Sequence, residues 1–258
     1  MKKFAITLMM LNYFFVHAQK NNDAFYVFKE DWSAAATIDE ATYFMQMQQE
    51  DDTTFICRYY NKFGPMVKQE SFKDADLSIP HGVFAWYDSD GNLDSTGFVF
   101  EGKKDGHWSL YDDSVNEVVA IYYDKGKFVS RDNVKARREN EKNDTTNSTE
   151  IEVDQIEAKY PSGLKGWAKY LQKNIHTPER LQSIAQAQKK SLYAKVGIQF
   201  LVDKEGNVKD VFIYKSFEWS ADTEAMRVIK ASGKWESAIQ DGEKVYYRQR
   251  QSITFQVE

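Results

Sequence analysis

A single cysteine and four prolines stand in a chain of 258 residues. One thiol excludes an intramolecular disulfide, and no cysteine near the start offers a lipid attachment point. Cys57 lies in the apolar aromatic segment Phe55-Ile56-Cys57-Arg58-Tyr59-Tyr60, which marks it as a buried inert thiol rather than a nucleophile. So few prolines exclude a long, stiff polyproline spacer. Histidine is also scarce: His81, His107 and His176 follow the N-terminal segment, and none has metal-ligand spacing with other ligating residues. No G-x-S-x-G elbow and no phosphate-cradling glycine loop occurs. These absences give a non-catalytic reading, with no cofactor, metal or small-molecule substrate expected. The net charge of −5 argues against nucleic acid as a partner. The basic run Lys135-Ala136-Arg137-Arg138 is diluted by Glu139 and Glu141 and reads as solvated linker.

What the chain does have is apolar and aromatic content, 42% and 15%, enough to bury cores. Its length suits two modest domains. Residues 1–18 read as an export signal. Lys2 and Lys3 supply the positive start, Phe4 to Val16 is apolar apart from Thr7 and Asn12, and Ala18 precedes Gln19 at a plausible cut. The run is shorter than the roughly 20 residues that span a bilayer as a helix. Periplasmic localisation is therefore expected, with an uncleaved inner-membrane anchor as the alternative.

Ile38 to Gln49 fits either a short helix or an edge strand. From Thr54 the hydrophobic period becomes two, and Asn61-Lys62-Phe63-Gly64 reads as a turn. A repeat then emerges over roughly residues 55–130, within an expected hairpin-repeat domain at residues 19–130. Gly82…Trp86-Tyr87 aligns with Gly106…Leu110-Tyr111, and Glu101-Gly102-Lys103 aligns with Lys125-Gly126-Lys127. Each unit is expected to be a hairpin with a glycine turn, its aromatics on the face that stacks on the next unit. Asp88-Ser89-Asp90-Gly91-Asn92-Leu93-Asp94 superficially resembles a calcium loop. Its glycine is misplaced and position twelve is Val99, so it reads as a hairpin turn. The units resemble the MORN-type repeats of bacterial envelope proteins, though an ordinary β-meander shares the same alternation. Residues 131–156 are polar and charged, and read as a flexible linker.

Residues 157–258 change character. Leu164, Trp167, Ala168, Leu171 and Ile175 recur at helical spacing, so Gly163 to Asn174 is expected as an amphipathic helix. Thr177-Pro178-Glu179 reads as a second helix start, with Thr177 as N-cap. Val196, Ile198, Phe200 and Val202 alternate along a strand, Asp203 to Asn207 turns, and Val208 to Ser216 returns. Ser220 or Asp222 would cap a third helix ending near Ser232-Gly233, and Trp235 follows as a large plug. The chain closes on a strand with Gln251, Ile253, Phe255 and Val257 on one face. The expected fold class is α+β: an all-β hairpin-repeat domain, then a three-stranded antiparallel sheet with helices on one face.

The strings V-G-I-Q-F-L-V-D-K-E-G-N-V-K-D-V (196–211), E-A-M-R-V-I-K (224–230), K-W-E-S-A (234–238), Q-D-G-E-K-V (240–245) and I-T-F (253–255) together resemble the TonB C-terminal domain. They are most similar to the version in Bacteroidetes-type envelope proteins, which shares an aromatic-Pro-Gly opening and a W-x-x-Y-L-x-x-N helix. The resemblance implies an adhesive role in TonB-linked transport. The last strand would accept an extended receptor peptide, the TonB box, or another envelope protein by edge addition. The implied positions are Arg248, Gln249, Arg250, Gln251, Ser252, Ile253, Thr254 and Phe255. The alternative at these positions is a strand that is simply core and covered. Departures from the family include Ser237 where W-x-P-A has proline, a cleavable-looking apolar run, and no Pro-rich span. They set the energy-transducer role behind binding, and a scaffold acting through the MORN-like repeats (Trp86, Tyr87, Trp108, Tyr111) is the other alternative. Exposed edge strands are also compatible with a homodimer.

Overall fold

The computed structural model describes residues 23–112, 116–137 and 155–257. The expected leader and the greater part of the expected linker lie outside the described residues. Nine strands follow one another: β1 (Ala24–Phe28), β2 (Tyr43–Asp51), β3 (Thr54–Asn61), β4 (Met66–Phe72), β5 (Gly82–Tyr87), β6 (Leu93–Phe100), β7 (Lys103–Tyr111), β8 (Glu117–Asp124) and β9 (Lys127–Asp132). They pair in chain order as one antiparallel meander. Of the ambiguous segment Ile38 to Gln49, the part from Tyr43 onward is strand β2, an inner strand between β1 and β3, where Phe44 and Met45 pair with the buried Tyr60 and Tyr59.

The repeat has a geometric counterpart. Glu101 and Gly102 both take positive φ, 46° and 78°, and Lys125 and Gly126 repeat this with 47° and 91°. Two consecutive left-handed residues give the turn whose twist matches a two-residue hairpin. A register shift recurs next to each repeat tyrosine, at Tyr59/Tyr60, Trp86/Tyr87 and Leu110/Tyr111. Such bulges bend a strand and increase its twist.

The aromatics do not share one face, as the sequence reading expected. Successive strand residues point to opposite sides. Trp86 and Trp108 therefore pack on one face with Phe84, Val99, Ile121 and Tyr123. Tyr60 and Tyr87 turn to the other face and enter the largest core, against which Tyr111 also packs.

That larger core is shared with the C-terminal half. Its elements are β10 (Gln155–Ile156), α1 (Gly163–Asn174), α2 (Glu179–Gln188), β11 (Leu192–Val202), β12 (Val208–Lys215), α3 (Trp219–Lys230), β13 (Ala238–Gln240), β14 (Glu243–Val245) and β15 (Tyr247–Val257). One three-stranded sheet has the order β12-β11-β15, and a small one has the order β10-β13-β14. The mixed α+β architecture thus matches the expected class. Val196, Ile198, Phe200, Ile213, Ile253 and Phe255 are buried in one cluster with Leu181 and Ile184 of α2 and with Ala225, Val228 and Ile229 of α3. Trp235 is the plug its position suggested, with its ring 5.0 Å from Phe200 and 5.3 Å from Trp167.

Two helix starts differ from expectation. Pro178, not Thr177, is the N-cap of α2, and no side chain caps it. For α3 the cap is Glu218, whose carboxylate accepts from the backbone N–H of Ser220 at 2.8 Å. Ser220 and Asp222 lie inside the helix, in its first turn.

Phe44, Tyr60, Met66, Ala85, Tyr87 and Leu93 of the nine-stranded sheet belong to the same buried cluster as the C-terminal core. Polar bonds stitch the seam. The Tyr87 hydroxyl donates to the Ile213 carbonyl at 2.7 Å, and the Ser216 N–H donates to the Gly91 carbonyl at 2.8 Å. Met66 N–H donates to Ser216 Oγ at 2.7 Å, and Lys215 Nζ reaches the Asp90 carbonyl at 2.8 Å. Arg180 of α2 bonds both Glu218 and the Lys62 carbonyl. The turn at Asp88 to Asn92 is a hairpin turn, closed by Asp88 accepting from the N–H groups of Asp90 and Asn92. Two sheets that hydropathy alone would treat as separate domains are thus joined by a core and a hydrogen-bonded seam.

Candidate functional site

β15 aligns with β11 along its whole length, from Val257 opposite Leu192 to Tyr247 opposite Val202, without a register shift. β11 is central and β15 is an edge, so among the described strands none pairs with the outer side of β15. Alternate backbone N–H and C=O groups on that side are available to an added strand. The period-two pattern that predicted this strand also sets its two faces.

The eight residues expected in the binding strand divide by face. Ile253 and Phe255 are 2% and 3% exposed and sit in the core beneath the helices. The side chains at these two positions are core, on the face of the strand turned away from solvent. Gln249 and Gln251 are half-buried on that same helix-covered face. Arg248, Arg250, Ser252 and Thr254 are exposed on the opposite, open face.

The open face is built around a glycine. A Cβ at Gly197 of β11 would lie 2.5 Å from the ring of Tyr214, so only glycine lets that ring lie across the strand. The Tyr214 hydroxyl comes within 3.5 Å of Ser252 Oγ, and the Arg250 guanidinium stands 5.3 Å from the Tyr214 ring centre. Arg250 Nε donates to Gln199 Oε1 at 3.2 Å. The tyrosine thus links all three strands of the sheet across its solvent side. A glycine inside an alternating strand is the local signal that could have pointed to this close approach.

The electrostatics are one-sided. The sequences of β11 (LYAKVGIQFLV) and β15 (YRQRQSITFQV) contain no acidic residue. Burial, together with a hydrogen bond to Glu157, raises the Tyr247 phenol above its ordinary range. Tyr247 shares the helix-covered face with Gln249, away from the two arginines.

A second polar cluster, which no local pattern foretold, lies at the seam. Asp222 is fully buried, and burial pushes its carboxyl up to about 7 despite hydrogen bonds that favour the anion. Those bonds come from Ser216 Oγ at 2.6 Å and Phe217 N–H at 3.1 Å. Glu218 lies nearby and adds repulsion that raises it further. Ser216 accepts from Met66 N–H while donating to Asp222, so one hydroxyl connects the two halves.

Two open recesses lie on the nine-stranded sheet. One, of about 510 Å³, is lined by Tyr43, Asn61, Phe63, Pro65, Tyr87 and Asp88. The other, of about 310 Å³, is lined by Trp86, Lys104, Trp108, Leu110, Ile121 and Tyr123. Cys57 is wholly buried and its thiol is pushed up to about 12 by burial, so the inert reading is consistent with its surroundings. Among the described residues, no group of three or more His, Cys, Asp or Glu side chains is arranged to hold a metal ion. Nor is any described helix long and apolar enough to cross a membrane.

No curated protein and no solved structure matches the chain significantly. A family model does match: residues 185–257 fit the Gram-negative bacterial TonB protein C-terminal. The matched span runs from the last turn of α2 through β15, and so includes the whole three-stranded sheet. It does not reach the nine-stranded meander, where the hairpin sheet is compatible with the MORN-type resemblance but no family model matches. The C-terminal sheet of this chain, with its helix α3 and its edge strand β15, is thus similar to the Gram-negative bacterial TonB protein C-terminal.

Proposed function

We propose that this chain is an exported, periplasmic envelope protein whose TonB-like domain captures an extended segment of an outer-membrane receptor along β15. The observation that carries this reading is the position of β15: a straight eleven-residue edge strand inside the family-matched region. Main-chain hydrogen bonds to the outer side of β15 would supply affinity, and Arg248, Arg250, Ser252 and Thr254 would meet alternate side chains of the guest. Gln249 and Gln251 line the opposite side of the strand, with Ile253 and Phe255 anchoring it from below. The role is adhesive, with no catalytic residue assigned.

The test is hydrogen exchange of the whole chain with and without receptor-derived TonB-box peptides. Protection of amides in Arg248 to Phe255 on peptide addition is the expected result. Peptide binding that leaves those amides unprotected, or no binding at millimolar peptide, would overturn the reading. N-terminal sequencing of the protein recovered from the envelope addresses the export step: a start at Gln19 supports a released periplasmic protein, and retention of residues 1–18 supports the membrane-anchored transducer. A scaffold role through the repeats is favoured by one observation, the aromatic recess between Trp86, Trp108 and Tyr123 on the face away from the C-terminal sheet. Loss of envelope retention on Trp86→Ala, with β15 intact, would support that second role.

A further inference from the structure

The open face beside β15 carries cations without counter-ions, in a chain whose net charge is −5. Lys195, Arg248 and Arg250 are all exposed. None of the three forms an ion pair with a carboxylate among the described residues. Some cations of this half do find carboxylates: Lys209 lies 3.6 Å from Asp203, Arg227 2.6 Å from Glu224, and Lys159 3.2 Å from Glu236. Arg248 and Arg250 lie on the edge strand β15 of the matched domain, and neither β15 nor its neighbour β11 contains an acid to pair with them. Arg250 is also held in place, its guanidinium fixed by Gln199 and by the Tyr214 ring. The nearby carboxylate Glu157 serves Tyr247 on the other face. Asp210 belongs to β12, the opposite edge of the sheet.

Resting on the strand-capture reading above, we infer that the guest of β15 is an extended acidic peptide with carboxylates at two positions, i and i+2. The spacing follows from the pleat. Arg248 and Arg250 are two residues apart and project to the same face, so an added strand presents its own i and i+2 side chains to them. Directly opposed residues of paired strands bring their Cβ atoms to about 5 Å, within reach of an arginine–carboxylate pair. Lys195, one strand further in and level with Thr254, adds to the positive potential along the same face. A second copy of the chain is a poor occupant by the same reasoning. Two β15 strands side by side would gather four arginines on one sheet with no acid from either strand.

The experiment uses the full chain and three ten-residue peptides of alternating Thr and Val. They carry Glu, Gln or Lys at two positions two residues apart. Affinity is read by titration calorimetry at low and high salt, and placement by amide protection in β15. The Glu peptide is expected to bind on the order of fivefold to tenfold tighter than the Gln peptide, with the Lys peptide weakest, from two exposed ion pairs. The advantage should shrink at high salt, where the screening length falls to about 3 Å at 1 M. In the Arg248→Ser/Arg250→Ser variant the Glu and Gln peptides should bind alike. Both substitutions are on the solvent face, and an unchanged melting profile verifies that the fold is retained. Equal binding of Glu and Gln peptides to the unaltered chain, with β15 protected, overturns acidic selection and leaves strand capture standing. No binding by any peptide overturns strand capture itself. A concentration-dependent dimer that protects β15 without peptide overturns the proposal in favour of a second copy as the occupant.

Discussion

The two principal sheets differ in how far along the chain their strands must look for partners. In the nine-stranded sheet every strand pairs with its sequence neighbour. In the three-stranded sheet β15 pairs with β11 across β12, α3 and two short strands. Local hairpins are specified by turn chemistry and alternation, and close at little entropic cost. The C-terminal sheet needs a distant strand to return, and burial of Ile253, Phe255 and Val257 together with the ladder to β11 rewards that closure. Yet the local sheet does not complete its own core. Its repeat tyrosines Tyr60 and Tyr87 are buried against the distant one. The lesson is that a regular repeat can serve as one wall of a core whose other wall is irregular.

If that lesson holds, substitutions on the two faces of the meander should differ most. Tyr60 is wholly buried at the seam, and Tyr60→Ala is expected to destabilise by about 3–5 kcal/mol. Trp86→Ala, half-buried on the outer face, should cost less than half as much. Chemical denaturation should show one transition reporting on both sheets. Two separated transitions, or equal costs on the two faces, would break the comparison.

The seam also titrates. Asp222 has its folded pKa raised to about 7 from 3.8, so the folded state holds this proton where the unfolded chain has lost it. Its contribution is fully present below about pH 4 and is lost as the pH rises through about 7. The difference amounts to roughly 4 kcal/mol at most, at about 1.36 kcal/mol per pKa unit. Asp222→Asn, uncharged at every pH, should flatten this slope. Comparing melting of the two proteins from pH 4 to pH 8 separates Asp222 from the acids with lowered pKa, such as Asp203, whose effect has the opposite sign. Parallel curves would show that Asp222 does not titrate in this window.

Smaller effects follow at single contacts. Tyr87→Phe keeps the ring and removes the donor to the Ile213 carbonyl, for an expected loss of about 1–2 kcal/mol. At the far end of the scale, Arg248→Ser should change stability by no more than about 0.5 kcal/mol, because its side chain is exposed. Ile253→Ala, on the buried face of the same strand, should cost about 2–5 kcal/mol. Urea midpoints of this pair measure the contrast between the two faces of β15, and similar values would mean that the open face is not open.

Much of this was readable in advance. The hairpins, the helix at Gly163 to Asn174, the turn at Asp203 to Asn207 and the closing strand all follow from period and turn residues. The open-face positions at Arg248, Arg250, Ser252 and Thr254 follow from alternation alone. Helix starts were less legible. Glu218 took the cap expected of Ser220 or Asp222, because Ser216 and the seam drew Asp222 inward. Arg180 gave no local sign that it would reach Lys62 and Glu218 from α2. Such contacts depend on which elements come to lie side by side, and no spacing along the chain encodes that.

By itself, then, the amino-acid sequence determined the local elements, the repeat, the resemblance of its last third and the two faces of the last strand. These are properties of dihedral preference and of polar-apolar period, which act over a few residues. The tertiary structure alone decided that the repeat tyrosines face the C-terminal core, that Asp222 is buried at the seam, and that Arg248 and Arg250 stand on one edge strand without an ion pair among the described residues. Burial and charge pairing act between groups brought together in space, so they are settled only once the two sheets have met.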